Sequence, residues 1–162
     1  MPKPPFPHMM EHDVPLFASF VLTPEGSRFT KWEFDVHVGQ GHLTQSEYDP
    51  AIMELALAVS RLRIDAVGWL DGIPWIFEVK PRAALTALGQ VIAYRHFYRL
   101  EKFITPRLAI ITDWAKPDAR TIYAAEGIAL FEVTEANEEQ LYAACVHVQA
   151  DCSQLIKIPQ LP

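Results

Sequence analysis

The stretch Arg61-Leu-Arg-Ile-Asp65-Ala-Val-Gly-Trp-Leu-Asp71-Gly72-Ile-Pro-Trp-Ile-Phe-Glu78-Val-Lys80 predicts a β-hairpin around which the rest of the chain is organised. Asp71-Gly72 is a strong signal for a two-residue turn, and apolar or β-branched residues flank it on both sides. If this dipeptide is the whole loop, residue i lies opposite residue 143 − i, which places Asp65 opposite Glu78.

The predicted register also decides which side chains share a face, because side chains alternate between the two faces of a strand. Four charged residues, Arg63, Asp65, Glu78 and Lys80, fall on one face. We expect the other face to be buried, since it carries no polar side chain. Its residues are Ile64, Ala66, Gly68, Leu70, Ile73, Trp75, Phe77 and Val79.

The opposed carboxylates of Asp65 and Glu78 indicate a metal site. Directly opposed residues have Cβ atoms about 4.5–5.5 Å apart, and like charges at that separation destabilise a sheet. Two carboxylates held so close suit a hard divalent cation such as Mg²⁺, which takes oxygen ligands and keeps several waters. Lys80 points the same way, where it could contact a metal-bound water or a phosphate oxygen.

These residues carry a resemblance to a known family. Asp65, twelve intervening residues and then Glu78-Val79-Lys80 resemble the Asp…Glu-x-Lys core of the PD-(D/E)XK nuclease superfamily. Gln90-Val-Ile-Ala-Tyr94 is similar to the Gln-x-x-x-Tyr motif of its RecB-like branch. The resemblance covers roughly residues 49–133. One departure is Ile64, which stands where the superfamily name has proline, a position that varies within the superfamily.

The resemblance implies a restriction-endonuclease-like fold, an α/β domain whose mixed β-sheet is flanked by helices, here with an extra N-terminal strand. It also implies that the protein hydrolyses DNA phosphodiester bonds with Mg²⁺ or Mn²⁺, most simply as an endonuclease. Asp65, Glu78 and the carbonyl of Val79 would hold the metal. The helix before the hairpin often supplies a further acidic ligand in this superfamily. Glu54 is the best-placed candidate and Glu47 the second, although an exposed glutamate is an equally good interpretation of Glu54.

The remaining motif residues take their expected roles from the same resemblance. Lys80 would orient the metal-bound water and stabilise developing negative charge. Gln90 and Tyr94 are four residues apart and share a helix face. Gln90 would position the water or a phosphate oxygen, and Tyr94 would support Gln90 or the substrate. A solvent-facing glutamine and a core tyrosine are the alternatives for this pair.

The distribution of charge is compatible with a DNA partner, although the net charge of −6 at first argues against one. Residues 61–107 hold eight Lys or Arg and four acidic residues, whereas the remainder holds six basic and sixteen acidic residues. A basic patch on an acidic protein can bind phosphates. The alternatives are an uneven surface and a solvated helix end. The candidate phosphate contacts are Arg63, Arg82, Arg95 and Arg99.

The other elements follow from periodicity. Alternation predicts a half-buried strand over 29–38, with Trp32, Phe34, Val36 and Val38 on its inner side. Asp49-Pro50 begins a helix whose core stripe would be Ile52, Leu55, Val59 and Leu62. Helices are predicted over 83–100, 118–126 and 135–149, and strands over 107–112 and 128–133. Strands alternating with helices predict parallel pairing through crossovers.

Composition sets the expected domain organisation. Residues 1–15 carry five prolines without periodicity and are predicted to be an extended or disordered arm. Residues 16–155 would form a single nuclease-like domain, and residues 156–162 a loose tail. Two cysteines imply no disulfide framework. Without an apolar run of 18 residues or a signal pattern, we expect a soluble, cytoplasmic protein with no membrane partner. A homodimer or a partner protein would direct the cut.

Two other functions compete with the nuclease hypothesis. The first is a non-catalytic assembly or DNA-binding module of the same fold. The intact set of Asp65, Glu78, Lys80 and Gln90 argues against it. The second is a two-carboxylate hydrolase such as a retaining glycosidase, whose carboxyl groups also lie about 5 Å apart. Lys80 and the lack of a dense aromatic sugar platform near the pair argue against that activity.

Overall fold

The computed structural model of the protein describes residues 6, 7, 9–43 and 49–150. None of the helices in these ranges is both long and apolar enough to cross a bilayer. In chain order the regular elements are α1 (Val14–Val21), a 3-10 turn (Gly26–Arg28), β1 (Lys31–Val38), α2 (Pro50–Val59), β2 (Leu62–Leu70), β3 (Ile73–Val79), α3 (Leu85–Lys102), β4 (Arg107–Thr112), α4 (Pro117–Ala125), β5 (Ala129–Glu132) and α5 (Glu138–His147).

The strands form one mixed sheet in the order β1-β2-β3-β4-β5. β1, β2 and β3 are antiparallel neighbours, whereas β4 pairs parallel to β3 and β5 parallel to β4. Helices α3 and α4 connect the parallel strands, because a parallel pair needs a crossover rather than a tight turn. The predicted fold class is therefore confirmed: a mixed α/β sheet flanked by helices, with an additional N-terminal strand.

The central hairpin has the register that its turn residues predict. Residues 66–70 pair with residues 73–77, and each pair obeys the 143 − i relation. Asp71 and Gly72 have φ angles of 52° and 74°. Positive φ at both central residues is the requirement of a type I′ turn, whose twist matches that of the flanking strands. The local turn chemistry thus fixes which residues of β2 and β3 lie opposite one another.

Both faces of the sheet are buried, whereas we predicted one buried face. Phe77 and Val79 pack in a cluster with α1 and α5, while Ile76 and Ile110 pack on the other side with α3 and α4. Ile64, predicted for the first face, belongs to the second cluster. The crossover helices explain the burial of the second face, because parallel strands are normally covered on both faces. Ile64 changes face because the alternation along β2 is interrupted at Asp65, so that Ile64 and Ala66 belong to opposite clusters. The face that carries Glu78 is therefore covered as well.

The predicted alternation of β1 changes side at Asp35. Trp32 and Phe34 pack in the α1 cluster, but Val36 and Val38 pack in the α3 cluster. Asp35 has a φ of 53°, a left-handed conformation that is uncommon for a residue with a side chain. This single residue interrupts the period-two pattern, so the second half of β1 presents its apolar residues to the opposite face.

Several described residues of the predicted N-terminal arm are part of the core, although the prolines of residues 1–15 predict an extended or disordered segment. Phe6 and Met9 are fully buried, and α1 begins at Val14. The ring of Phe6 lies 4.9 Å from that of Phe17 and stacks at 5.5 Å on Phe34. Apolar side chains on α1 and before it thus supply burial that outweighs the proline content. Residues 1–5 and 8 lie outside the described residues, as do residues 151–162, which contain the predicted tail.

The predicted core stripe of α2 is exposed. Asp49 caps this helix as expected, accepting the Ala51 N–H at 2.9 Å. Ile52, Leu55 and Val59 are nevertheless between 52% and 67% exposed. The apolar stripe is therefore not the core stripe that we predicted. The two core clusters form with α1 and α5 on one face of the sheet and with α3 and α4 on the other, and none of the α2 residues is buried.

Candidate metal and catalytic site

The candidate site lies where β2 and β3 separate. The hairpin ladder ends at the pair Ala66–Phe77, so Asp65 and Glu78 come one step beyond it. Asp65 Oδ2 accepts a hydrogen bond from the Val79 N–H at 2.9 Å. Glu78 is only 3% exposed, and its Oε2 atom is buried with no hydrogen-bond partner among the residues that the structure describes. A buried carboxylate oxygen without a partner is costly and indicates a place for a ligand.

Helix α3 crosses the sheet face that carries Glu78 and brings two motif residues toward it. The buried Tyr94 hydroxyl is within hydrogen-bonding reach of the Glu78 carboxyl. Gln90 Nε2 donates to the Tyr94 hydroxyl at 3.4 Å. Burial raises the pKa of Tyr94 further above its usual value, so the phenol stays protonated and can donate. Gln90 is thus hydrogen-bonded to Tyr94, and the Tyr94 hydroxyl lies next to the Glu78 carboxyl.

Lys80 follows directly after β3 and is half-buried. Its N–H donates to the Ile111 carbonyl at 2.9 Å, which continues the parallel pairing and fixes the backbone next to the carboxylates. The Lys80 ammonium is close enough to lower the pKa of three carboxyl groups, those of Asp13, Asp65 and Glu78. It is therefore placed to balance the negative charge of the site.

Asp13 is the residue of this site that sequence reasoning missed. It occupies the N-cap position of α1, yet its side chain makes no capping hydrogen bond. The residue is 5% exposed, and Oδ1 is buried without a hydrogen bond to any described residue, although His12 Nε2 lies 3.3 Å away. Its charge raises the pKa of both Asp65 and Glu78. An aspartate at an N-cap normally bonds the helix, so its use here is exceptional.

A sequence signal for Asp13 did exist. Asp13-Val-Pro15 resembles the helix start Asp49-Pro50, since both place an aspartate just before an early proline. Leu16, Phe17 and Phe20 follow at helical spacing. Composition alone does not reveal this helix start, because the five prolines of residues 1–15 favour an extended arm. The approach of Asp13 to Asp65 is a long-range contact that no local pattern encodes.

In the metal-free protein, the surroundings of Asp65 and Glu78 disfavour the ionised forms of their carboxyl groups. Burial raises the pKa of Asp65 to about 6, with the Asp13 charge adding to it and the Val79 N–H opposing it. Burial raises the pKa of Glu78 to about 8, and the Asp65 charge adds to this shift while Lys80 opposes it. Such a pair is stabilised by a cation, which favours the ionised forms of both groups.

The oxygen donors at this site fit a hard divalent ion whose remaining coordination positions are taken by water. Asp65 and Glu78 supply carboxylate oxygens, and the predicted third donor is the carbonyl of Val79. Within the described residues, no three Asp, Glu, His or Cys side chains are arranged to hold a metal ion together. The influence of Asp13 that the structure shows is that of its charge on the carboxyl groups of Asp65 and Glu78. Two carboxylates plus several waters is the usual environment of Mg²⁺.

Two predicted residues are not brought to this site. Glu54 lies on the exposed helix α2, and its charge is not among those that shift Asp65 or Glu78 within the described chain. Glu47 lies outside the described residues. Arg63 does not join Lys80, because it turns to the neighbouring strand, where its Nε donates to Asp35 Oδ1 at 2.9 Å. The left-handed backbone of Asp35 accompanies this pairing.

The predicted phosphate-binding arginines divide into two groups. Arg95 and Arg99 line a pocket with Thr105 on the second half of α3, and Arg95 also borders a pocket with Trp75 at the start of β3. They lie toward the opposite end of the sheet from Glu78. Arg82 lies just after Lys80, at the same end as the carboxylates.

Comparisons with known proteins identify no family. No family model matches the chain, and no curated protein matches it. The chain is similar to the solved structure of a repair endonuclease from Pyrococcus abyssi, with 23% identity and a TM-score of 0.41 over 45% of this chain and 33% of that one. It is similar to an EndoMS-dsDNA2 complex, with 22% identity and a TM-score of 0.42 over 46% and 32%.

A third solved structure, of the protein of unknown function AF1548, has 17% identity and a TM-score of 0.46 over 82% of this chain and 66% of that one. The chain spans about a third of the length of the first two proteins, at 33% and 32%. At these TM-scores the likeness carries no inference about activity. The function proposed next therefore rests on the side chains around Glu78.

Proposed function

We propose that this protein is a metal-dependent nuclease that hydrolyses DNA phosphodiester bonds with Mg²⁺ or Mn²⁺. The observation that carries the proposal is the buried Glu78 carboxylate with a partnerless oxygen, placed beside Asp65 and Lys80 and oriented by Tyr94. Two carboxylates and a lysine at the end of a strand pair can hold a divalent ion and a phosphate together. A buried carboxylate oxygen that no described residue bonds is costly to the fold, so the Oε2 atom of Glu78 is better explained by a ligand than by stability.

Each side chain has a separate task in this mechanism. Asp65, Glu78 and the Val79 carbonyl would hold the ion, which when bound lowers the pKa of a coordinated water and neutralises phosphate charge. Lys80 donates to a phosphate oxygen and stabilises the negative charge that develops there. Tyr94 keeps the Glu78 carboxyl in one orientation, and Gln90 keeps the Tyr94 hydroxyl aimed at it.

Charge supports DNA as the substrate. The segment 61–107 is basic in a chain of net charge −6, and a bound divalent ion would make the site more positive. Arg82 extends this positive charge from Lys80 along the same end of the sheet. Arg95 and Arg99 would contact phosphates farther along the bound DNA strand. We also propose that a second copy of the chain or a partner protein directs the cut. The proposal further includes membership of the RecB-like branch and a cytoplasmic location.

The test is cleavage of plasmid and single-stranded DNA by the wild type and by Glu78→Gln, each with Mg²⁺, Mn²⁺ or EDTA. We expect cleavage by the wild type only with a metal, and a loss of more than about a hundredfold in Glu78→Gln, because even residues that merely support metal ligands contribute about 10–100-fold. Glu132→Gln is the matched control and should cleave like the wild type. Tight DNA binding by the wild type without any cleavage would instead support the non-catalytic module.

A further inference from the structure

A groove adjoins the candidate site at the carboxyl ends of β3 and β4. These strands are parallel, so the residues that follow them meet at one end of the sheet. A bridge between Ala83 and Ala115 joins the two connections, and the Lys116 N–H donates to the Ala83 carbonyl at 3.0 Å. The groove lies between the first turns of α3 and α4, a few residues along the chain from Lys80.

The backbone around this groove is tied in place by side chains. Thr112 is fully buried, and its hydroxyl accepts hydrogen bonds from the N–H groups of Ala83 at 3.1 Å and Trp114 at 3.2 Å. Asp113 Oδ1 accepts the Arg82 N–H at 2.7 Å. Arg82 adopts a φ of 51°, a conformation that a non-glycine residue holds only when its surroundings enforce it. The positions of Arg82 and Trp114 are therefore built rather than accidental.

The groove presents a flat aromatic surface to solvent. Its volume is about 590 Å³, and its walls include Leu85 and Trp114. These two side chains are 52% and 43% exposed, although both are apolar. The guanidinium of Arg82 lies 5.7 Å from the centre of the Trp114 ring. Within one small region the chain thus offers an exposed indole for stacking and a cation that lies over the indole ring.

The charged residues that line the groove indicate which kind of ligand it suits. Lys116 and Asp118 both line the groove and have opposite signs, so the groove itself has no excess of positive charge for a phosphate. An uncharged planar ring with hydrogen-bond donors and acceptors fits an indole wall with one cationic and one anionic neighbour. Arg82 lies toward Lys80 along the chain, where the phosphate of a nucleotide whose base occupies the groove would be placed.

We propose that this groove binds an unpaired base of the substrate, stacked on Trp114, next to the phosphate that is cleaved. The proposal rests on the proposed nuclease function and narrows its substrate to DNA with unpaired nucleotides near the cut. A base inside a duplex is paired and stacked on its neighbours, so its ring cannot also stack on an exposed indole. Aromatic stacking accepts any base, so we expect little sequence preference.

The experiment measures binding by fluorescence anisotropy in EDTA at low salt, with two labelled probes. One is a blunt hairpin duplex, and the other is the same duplex with a ten-nucleotide thymidine extension. The proteins are the wild type, Trp114→Ala, Trp114→Phe and, as a control, Tyr142→Ala, which removes an aromatic ring that is 45% exposed on α5. Thermal melts establish that each variant is folded.

We expect the wild type to prefer the extended probe, and Trp114→Ala to lose about tenfold in affinity for it, as for one base stack. Trp114→Phe should lose less, and Tyr142→Ala should bind both probes like the wild type. Affinity for the blunt probe should change by less than about twofold in all variants. Equal losses on both probes, or no loss in Trp114→Ala, would overturn the proposal.

The two proposals can fail separately. If the wild type cleaves DNA and Glu78→Gln does not, while Trp114→Ala keeps its affinity for the extended probe, then the nuclease stands and the groove assignment is wrong. If neither protein cleaves DNA but Trp114→Ala loses the extended probe selectively, then the groove binds unpaired bases in a protein that is not a nuclease.

Discussion

Glu78 and Glu132 stand near the carboxyl ends of two parallel strands of one sheet, yet the fold treats them in opposite ways. Glu132 ends β5, where it accepts hydrogen bonds from the Ala115 N–H at 3.1 Å and from Arg120 Nη2 at 2.7 Å. The hydrogen bonds from Arg120 lower the pKa of Glu132. Glu78 lies on β3, where burial raises the pKa to about 8.

The comparison shows that this fold is able to satisfy a carboxylate at this end of the sheet. An arginine on α4 reaches a carboxylate at the end of β5, so the architecture can satisfy an acidic group at this end of the sheet. At Glu78 the available donors are Tyr94 and a lysine shared with Asp13 and Asp65. A carboxylate left incompletely satisfied beside two others is poor for stability. We infer that Glu132 serves the fold and that Glu78 serves a ligand.

The largest expected difference is in DNA cleavage, between variants of the cations near the two glutamates: Lys80 near Glu78 and Arg120 near Glu132. Lys80→Ala should reduce DNA cleavage by about a hundredfold or more, the size expected for a donor to developing negative charge. Arg120→Ala should leave cleavage within about twofold of the wild type. The measurement is initial cleavage rate with Mn²⁺, together with calorimetric Mn²⁺ binding. If Lys80→Ala loses Mn²⁺ binding along with activity, Lys80 maintains the site instead of acting on the substrate.

A second comparison separates the two aspartates at helix N-caps. Asp13→Asn should lower activity by about 10–100-fold, as for residues that support metal ligands. The variant should stay folded, because Asp13 makes no capping bond to lose. Asp49→Asn should not affect activity, since Asp49 caps the exposed helix α2 and asparagine caps equally well. Cleavage rates and thermal melts of both variants provide the test. Unchanged activity in Asp13→Asn would remove Asp13 from the proposed site.

A third comparison removes one charge from each glutamate in EDTA. Glu78→Gln should raise stability at pH 7 by roughly 2 kcal/mol, about 4–8 °C in melting temperature for a domain of this size, because wild-type Glu78 must take up a proton on folding at this pH and the amide need not. Glu132→Gln should lower stability by less than about 1 kcal/mol, since its partner is a partly exposed arginine. Thermal melts measure both. A lower melting temperature for Glu78→Gln would mean that Glu78 is a structural hydrogen-bonding residue.

Metal addition sharpens the same experiment. Mn²⁺ at a hundredfold excess over its dissociation constant should stabilise the wild type and Glu132→Gln by about 2.7 kcal/mol, and Glu78→Gln by much less. Equal stabilisation of all three proteins would place the bound metal elsewhere.

Local sequence patterns predicted the parts of this fold that local chemistry controls. Asp71-Gly72 fixes the hairpin register because both residues accept positive φ, and the spacing of Gln90 and Tyr94 puts them on one face of α3. That Gln90 and Tyr94 face Glu78 was an expectation from the motif resemblance rather than from these two patterns. The parallel strands followed from the alternation of strands and helices.

The patterns failed wherever the answer depended on competition between distant segments. The stripe Ile52, Leu55 and Val59 is apolar as predicted, but periodicity does not say whether a surface remains for it to cover. Asp13 joins Asp65 only because α1 packs across the sheet, so Glu54 was the natural choice from sequence. Whether the site holds a metal and cleaves DNA stays a prediction, and so does the location in the cell.

The smallest expected effect is the pH dependence of the metal-free protein, and its sign follows from Asp65 and Glu78. Both have folded-state pKa values above their ordinary values, about 6 and about 8. The folded state therefore binds protons more tightly than the unfolded state. Stability is fully present below about pH 4 and is lost as pH rises through the folded values. Glu132, whose pKa is lowered, would have the opposite dependence.

The informative quantity is the difference in stability between the wild type and Glu78→Gln, because the titration of every group that the two proteins share cancels in it. In EDTA the advantage of Glu78→Gln should be small at pH 5 and should grow steadily to pH 8, because above its unfolded pKa wild-type Glu78 must either take up a proton or carry a buried charge on folding. With saturating Mn²⁺ the wild type should instead gain stability over this range, since a metal binds the deprotonated carboxylates. Urea titrations at four pH values measure both curves. A difference that does not vary with pH in EDTA would show that Glu78 is ionised with an ordinary pKa, and the contrast with Glu132 would no longer hold.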